Sequence, residues 1–457
     1  MSINENVILG RILEKVEKID WQTHLNMEAD KNLLKSEKIV AVVDYLLDLA
    51  QKEKFSLCQH NGSAYLFNGA FWVKLEDYAL SNYFGDGARK MGIDKQLSRY
   101  YGFRDSLLKQ FKSAAFQQKE KRAFDAILIN LSNGTLQVSP KGYRMKDFDP
   151  IDFLTYQLPF EYNKKAKALD FKGFLDKVLP DQSVQNVLAE YIGYLFIPNS
   201  VMKLEKVLML VGEGANGKST FYEIINGLLG RENVTTYSIS KLTDSNGYYR
   251  AMIGNKLLNY SSEIGNKMDA TVFKQLASGE AVEARLPYRD PMILENYARL
   301  IFNTNGLPSD VEHNHAFFRR FLIIPFNVTI PESEQDKHLS QRIIQNELPG
   351  VLNWVLKGLD RLIKQKGFSK SEIIDNALVS YKKESDNVFM FIEDQGYVFD
   401  TANRVTLKEV YYEYKGYCSD NGYRPLGNKN FRKRIEKQGF TCQKTNVGIV
   451  VNCKKTA

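Results

Sequence analysis

The chain has 457 residues and a formal net charge of +8, with ordinary globular fractions of apolar (44%) and charged (25%) residues, which excludes a disordered or fibrous protein. That length predicts two to four domains around a large buried core. The absence of a basic-then-apolar leader or a long apolar run predicts a soluble, cytoplasmic protein with no membrane contact, and Cys58, Cys418, Cys442 and Cys453 form no C-x-x-C pair, so neither a zinc ribbon nor a disulfide scaffold is indicated.

In chain order, residues 1–54 are helix-patterned, as in "VAVVDYLLDLAQ". Residues 55–165 turn to short strands and Asn-Gly turns and predict an α+β domain; "HNGSAYLFNGAFWVKL" and "AILINLSNGTLQVSP" both read as hairpins. Residues 166–198 are helical again, a bridge or collar closing at Pro198. A nucleotide core follows over 199–330, then a helical lid or linker over 331–384, and a basic unit over 385–457. The expected fold is therefore multidomain α/β, a parallel sheet flanked by helices at its centre.

The centre is defined by "VGEGANGKST", residues 211–220, between the apolar run Val207–Val211 and a helix pattern of Phe221, Ile224, Ile225 and Leu228. This is strand, glycine loop, helix, with the spacing G-x-x-x-x-G-K-S at Gly212, Gly217, Lys218 and Ser219. Glycines let successive N–H groups turn inward on an anion, and the helix adds its positive end. Glu213, Gly214, Ala215, Asn216 and Thr220 complete the cradle. Lys218 is expected on the β and γ phosphates and Ser219 on Mg²⁺. The loop predicts a nucleoside triphosphate; it serves kinases, transporters, GTPases and motors alike, so it does not name the reaction.

Three further features follow. "NKLLNYSSEIG" reads as a strand beside the P-loop strand, ending in Glu263, an acid able to orient Mg²⁺ and polarise water. "RLIFNTNGLP" reads as a strand ending in Asn303 and Asn305, whose amides can hold a water. "FFRRFLIIPF" sets Arg319 and Arg320 before another apolar strand, where a cation can serve as an arginine finger. His313 and His315 form an H-x-H on a polar loop with no nearby ligand partners and read as loop residues, not a metal site.

The charge surplus lies at the C-terminus: residues 401–457 hold twelve basic and four acidic residues. A concentrated basic block suggests a polyanion partner. Within "NKNFRKRIEKQGF", Lys429, Lys433 and Lys437 share one helical face while Phe431, Ile435 and Phe440 face a core, with Arg432 and Arg434 between them.

The order and spacing of these motifs resemble the superfamily 3 helicases, and more narrowly the helicase part of phage/plasmid and poxvirus-type primase–helicases. Gly212, Gly217, Lys218 and Ser219 match that family's first motif, Glu263 its acidic strand, Asn305 its sensor and Arg320 its trans arginine. "FKQLASGEAVEARLPYRDPMILEN" matches its DNA-contacting hairpin, with Lys274 before it and Tyr288 and Arg289 at its tip. Stacking and charge from such a tip suit a single strand. The upstream segments resemble the domain that precedes the helicase in these proteins, and the tail resembles their C-terminal winged helix, in which Lys429, Arg432, Lys433, Arg434 and Lys437 would meet DNA.

The resemblance implies an AAA+-like core and an ATP- and Mg²⁺-dependent homo-hexameric helicase. It would act on single-stranded and forked DNA, moving 3′ to 5′, in replication of a phage, plasmid or other mobile element, in bacterial or infected-host cytoplasm. Two departures stand out. Ser262 precedes Glu263 where many members carry two acids. Only residues 1–54 precede the hairpin region, without a paired-Asp strand, so a primase or polymerase is expected on a separate chain. An ATP-regulated origin binder and a P-loop small-molecule kinase are the alternatives, distinguished by strand displacement and by stimulation of hydrolysis by single-stranded DNA.

Overall fold

The computed structural model describes residues 5–21, 34–60, 62–115, 127–262, 264, 268–308, 314–446 and 448–456. The chain divides between Asn163 and Lys164 into two compact units.

In the first unit, the helices Glu5–Glu14, Lys35–Lys52, Asp77–Lys90, Lys95–Arg99 and Tyr101–Ala114 accompany two antiparallel meanders. These are β1 (Ser56–His60), β2 (Ser63–Phe67) and β3 (Trp72–Leu75), then β4 (Ile127–Leu131), β5 (Gly134–Ser139) and β6 (Gly142–Lys146). Both expected hairpins are present, each extended by a third strand. Phe103, Leu107 and Phe111 recur every fourth residue, so one helix face enters the core with Val42, Leu46 and Phe84. Trp72, Tyr65 and Phe67 form a smaller aromatic cluster, in which the Trp72 indole donates to the Pro150 carbonyl at 2.8 Å.

The second unit opens with two helices where one helical stretch was expected. Leu169–Val178 stops before Pro180, and Gln182–Tyr194 restarts under an Asp181 cap that accepts from the Ser183 and Val184 amides at 2.8 and 3.1 Å. Next come β7 (Val207–Val211), the helix Lys218–Leu229, β8 (Val234–Thr235), β9 (Leu258–Ser261) and the helix Ala270–Ser278. The hairpin of β10 (Val282–Arg285) and β11 (Pro291–Leu294) precedes β12 (Arg299–Thr304) and β13 (Phe321–Pro325). Five strands form one all-parallel sheet in the order β13-β7-β12-β9-β8. Sequences such as "VLMLV" are apolar throughout because their strands are covered on both faces.

The strand expected beside β7 is one place removed. β12 lies between, with Ile301 opposite Leu208 of β7 on one side and Tyr260 of β9 on the other. Crossover connections free parallel strands from chain order, so β12 can take this inner position although it arrives later.

The helices Leu339–Asn346, Leu348–Gln365 and Glu372–Glu384 follow. Helix Leu348–Gln365 crosses Gln182–Tyr194 closely: a Cβ on Gly358 would stand 2.4 Å from the Ala189 carbonyl carbon. The buried Glu190 carboxylate there accepts from Arg361 Nε at 2.9 Å and from the Ser369 amide at 2.8 Å, so no charge is left uncompensated. The chain ends with helices Asn387–Asp394, Leu407–Asp420 and Asn428–Lys437 and an antiparallel sheet, β14 (Tyr397–Thr406), β16 (Gly448–Lys455) and β15 (Cys442–Thr445), in that spatial order. Tyr414 and Phe431 stack at 4.5 Å in its core. No described helix is long and apolar enough to cross a membrane.

Candidate nucleotide site and nucleic-acid surfaces

The glycine loop leaves β7 and enters the helix Lys218–Leu229 with Ala215 and Gly217 at φ of 56° and 86°. Gly217 needs this left-handed backbone, and a Cβ on it would also stand 2.8 Å from Val178 and 2.9 Å from Phe174. Gly212 is constrained differently: a Cβ would meet the Phe326 carbonyl oxygen at 2.4 Å. The loop is laced to its surroundings. The Gly212 amide donates to the Thr304 carbonyl of β12 at 3.1 Å, and the Ile330 amide to the Ala215 carbonyl at 2.8 Å. Buried Asn216 donates to the carbonyls of Glu213 at 2.6 Å and Phe326 at 3.1 Å. Only its presence in the glycine pattern was legible; its role as the loop's brace was not.

Lys218 is buried, 7% exposed, and not the solvent-facing side chain of a surface loop. Its ammonium donates to the Gly212 and Glu213 carbonyls at 2.5 and 3.0 Å and to Asn216 Oδ1 at 3.0 Å. Desolvation lowers its pKa from the ordinary lysine value. Ser219, Glu213, Gly214 and Ala215 are exposed, and Thr220 is half-buried. Gly217 at the N-cap has no side chain to cap the helix, and the Lys218 amide donates to Asn216 Oδ1 at 3.5 Å. These residues fit a polyphosphate. Among the described residues no three His, Cys, Asp or Glu side chains cluster into a metal site. Glu263, the acid expected just after β9, lies outside the described residues, as does His313.

At the same sheet edge, β12 places Thr304 opposite Val211, with Asn305 exposed just beyond it. Asn303 points inward instead: its Oδ1 accepts from the buried Tyr260 hydroxyl at 3.0 Å. Tyr260 in turn packs edge-on against Tyr222 of the P-loop helix at 4.7 Å. This buried layer ties β9, β12 and the P-loop helix together beneath the loop, and periodicity alone could not reveal it.

Arg320 differs from the expected outward finger. It precedes β13, at the sheet edge away from the loop, and is 7% exposed. Its guanidinium donates to Ser278 Oγ at 2.9 Å, to the Lys274 carbonyl at 3.2 Å and to the Ala316 carbonyl. Desolvation, then Arg319, lowers its pKa. The half-exposed guanidinium is that of Arg319, paired with Glu205.

The hairpin of β10 and β11 presents Tyr288 fully exposed at its tip, at φ of 59°, beside exposed Arg289. Lys274 is half-buried on the preceding helix, off the hairpin. Buried Arg250, overlooked in sequence, splints the hairpin base through the Glu283 carbonyl at 2.9 Å and the Leu242 carbonyl at 3.0 Å.

On helix Asn428–Lys437, Lys429, Lys433 and Lys437 are exposed while Phe431 and Ile435 are buried. Arg432 and Arg434 each have a partner within the chain: Arg432 pairs with Glu436 at 3.0 Å, half-exposed, and Arg434 with Asp386 at 3.5 Å.

Three stretches of the chain match known protein families. Residues 42–180 match the family described as "D5 N terminal like", residues 383–456 "Poxvirus D5 protein-like", and residues 210–320 a family of unknown function, DUF5906. "Putative helicase L207/L206" of Acanthamoeba polyphaga mimivirus is 20% identical over 74% of this chain and 38% of its own length. "Putative helicase 184R" of Invertebrate iridescent virus 6 is 24% identical over 47% of this chain and 24% of its own. The chain thus spans well under half of these relatives. An apo structure of the NrS-1 C-terminal region shares the fold, with a TM-score of 0.50 and 12% identity over 90% of this chain and 99% of that one. D5-like sequence over residues 42–180 and 383–456, on either side of a P-loop core and in a fold shared with the NrS-1 region, supports a D5-type primase–helicase family for this chain.

Proposed function

We propose that the chain is an ATP-driven, ring-forming DNA helicase that moves 3′ to 5′ during replication of a virus, phage, plasmid or other mobile element. The observation that carries this reading is topological. The hairpin bearing Tyr288 is inserted in the chain between β9 and β12, and β12 is the strand that neighbours β7 and holds the phosphate loop through its Thr304 carbonyl. A change at the γ-phosphate is thereby positioned to move the nucleic-acid contact.

In this reading Lys218 holds the β and γ phosphates, Ser219 and Glu263 share Mg²⁺, Glu263 polarises water and Asn305 orients it. The cation offered to a neighbouring subunit is Arg319, with Arg320 positioning it from beneath. Numbered in chain order, the sheet runs 5-1-4-3-2, which supports an AAA+-like core. The three helices and sheet of residues 387–455 support a winged helix, the last part of the six into which the sequence divides the chain. Partners would be single-stranded and forked DNA, further copies of the chain in a homo-hexamer, and a separate primase or polymerase. The exposed Lys429, Lys433 and Lys437 face specifically favours a second reading, an ATP-regulated origin binder that does not unwind.

A forked-duplex strand-displacement assay tests both. We expect ATP-dependent displacement that Lys218→Met abolishes along with hydrolysis. Hydrolysis and DNA binding without displacement would leave the origin binder; hydrolysis unaffected by Lys218→Met would remove the site itself.

A further inference from the structure

The first unit carries a surface that none of the motifs uses. At the corner between helices Lys95–Arg99 and Tyr101–Ala114, Tyr100 is 49% and Tyr101 72% exposed, their ring centroids 4.9 Å apart. Their neighbours behave differently: Ser98, Phe103 and Leu107 are buried. Lys35 sets its ammonium over the Tyr100 ring at 5.9 Å, and Lys95 and Arg99 are exposed on the same corner.

The corner is rigid. Arg104 donates to the Ser98 carbonyl at 2.9 Å and to Asn82 at 2.5 Å and pairs with Asp86 at 3.5 Å, locking one helix to the other. Gly102 lets the Tyr100 ring lie against the helix start, because a Cβ there would stand 2.8 Å from the ring. The carboxylates nearby are mostly occupied. Asp94 caps its helix through the Gln96 and Leu97 amides, Glu37 accepts from the Leu34 amide, and Asp86 faces Arg104. Among the described residues of this corner, Asp105, one turn past Tyr101, is the exposed acid that remains.

We propose that this corner is a second contact for single-stranded nucleic acid, with Tyr100 and Tyr101 stacking on bases and Lys35, Lys95 and Arg99 meeting the phosphates. Two adjacent exposed rings framed by cations offer what a sequence-tolerant single-strand site needs: aromatic faces for bases and positive charge for the backbone. The choice of polymer rests on the DNA-motor reading above; the surface lies outside its motifs.

The test is equilibrium binding of a fluorescent oligo-dT to the full chain without nucleotide, beside an abasic oligomer of equal length. Tyr101→Ala should weaken oligo-dT binding on the order of 10-fold, Tyr101→Phe should retain it, and neither should change the abasic oligomer's affinity or basal ATP hydrolysis. Lys95→Gln with Arg99→Gln should flatten the salt dependence by about 0.7 log unit per lost contact. Tyr288→Ala is the parallel arm. If it weakens oligo-dT binding while the corner variants do not, the corner proposal is overturned and the motor reading stands. If the wild-type chain binds neither oligomer, both fall. If the corner variants lose polyglutamate binding and keep oligo-dT, the surface belongs to an acidic protein partner, and the proposal is wrong.

Discussion

Arg319 and Arg320 are neighbours of the same type with opposite fates. Arg320→Ala strips a buried hydrogen-bonded cation from Ser278 and two carbonyls, so we expect a stability loss of about 3 kcal/mol in chemical denaturation. Arg319→Ala removes a half-exposed pair with Glu205 and should change stability by less than about 1 kcal/mol. Its ATP turnover should nevertheless fall on the order of 10³-fold, as when other arginine fingers are removed. A stable, inactive Arg320→Ala beside an active Arg319→Ala would reverse the assignment. The sequence could place a cation before β13 because the apolar run starts at Phe321. It could not say which arginine turns inward, since that depends on Ser278, 42 residues away. Lys218 and its glycines were legible because they answer a local backbone demand. The burial of Lys218 was not, because it follows from Asn216 and the lacing of the loop.

Among the elements, the C-terminal helix was the most legible. Phe431 and Ile435 are four residues apart and enter the core together, which leaves Lys429, Lys433 and Lys437 on the outer face. Replacing these three lysines with glutamine should reduce the slope of log duplex affinity against log salt by about 2.7, at roughly 0.9 per phosphate contact. Arg432→Gln should change it less, because its guanidinium already faces Glu436. Titrations of duplex affinity at four or more salt concentrations decide this; an unchanged slope in the triple variant would make the helix a solvated or protein-docking face. The interior position of β12 was not legible. Strand order in a parallel sheet is set by crossover packing, and no residue on β12 declares its neighbours.

For the whole molecule, the division at Asn163 means that every group found around the phosphate loop belongs to one unit. Phe174 and Val178 back Gly217, and Thr304, Phe326 and Ile330 brace the loop's backbone and amides. A chain of residues 164–457 should therefore bind and hydrolyse ATP at near its basal rate. A chain beginning at residue 199, the expected start of the nucleotide core, should not: it loses Phe174 and Val178 and strips Leu348–Gln365 of the helix it crosses at Gly358. Phosphate release and thermal unfolding of the two truncations would test this, and equal activity in both would show that the two leading helices are dispensable. The sequence shows those helices only as a bridge or collar, because an apolar stripe does not name its partner.

One strand joins two of the features described above. β13 begins beside Arg319 and Arg320, and immediately after it Phe326 accepts from Asn216 and donates from its amide to Val211 at 2.6 Å. Its five residues span about 16 Å along the edge of the sheet, each opposite a residue of β7. In an assembled ring, one end of that strand would rest on a subunit's own nucleotide and the other would carry the cation serving the next. Whether a site is filled would then be felt at the adjacent interface as a small axial push, so firing around the ring could be ordered without any separate relay.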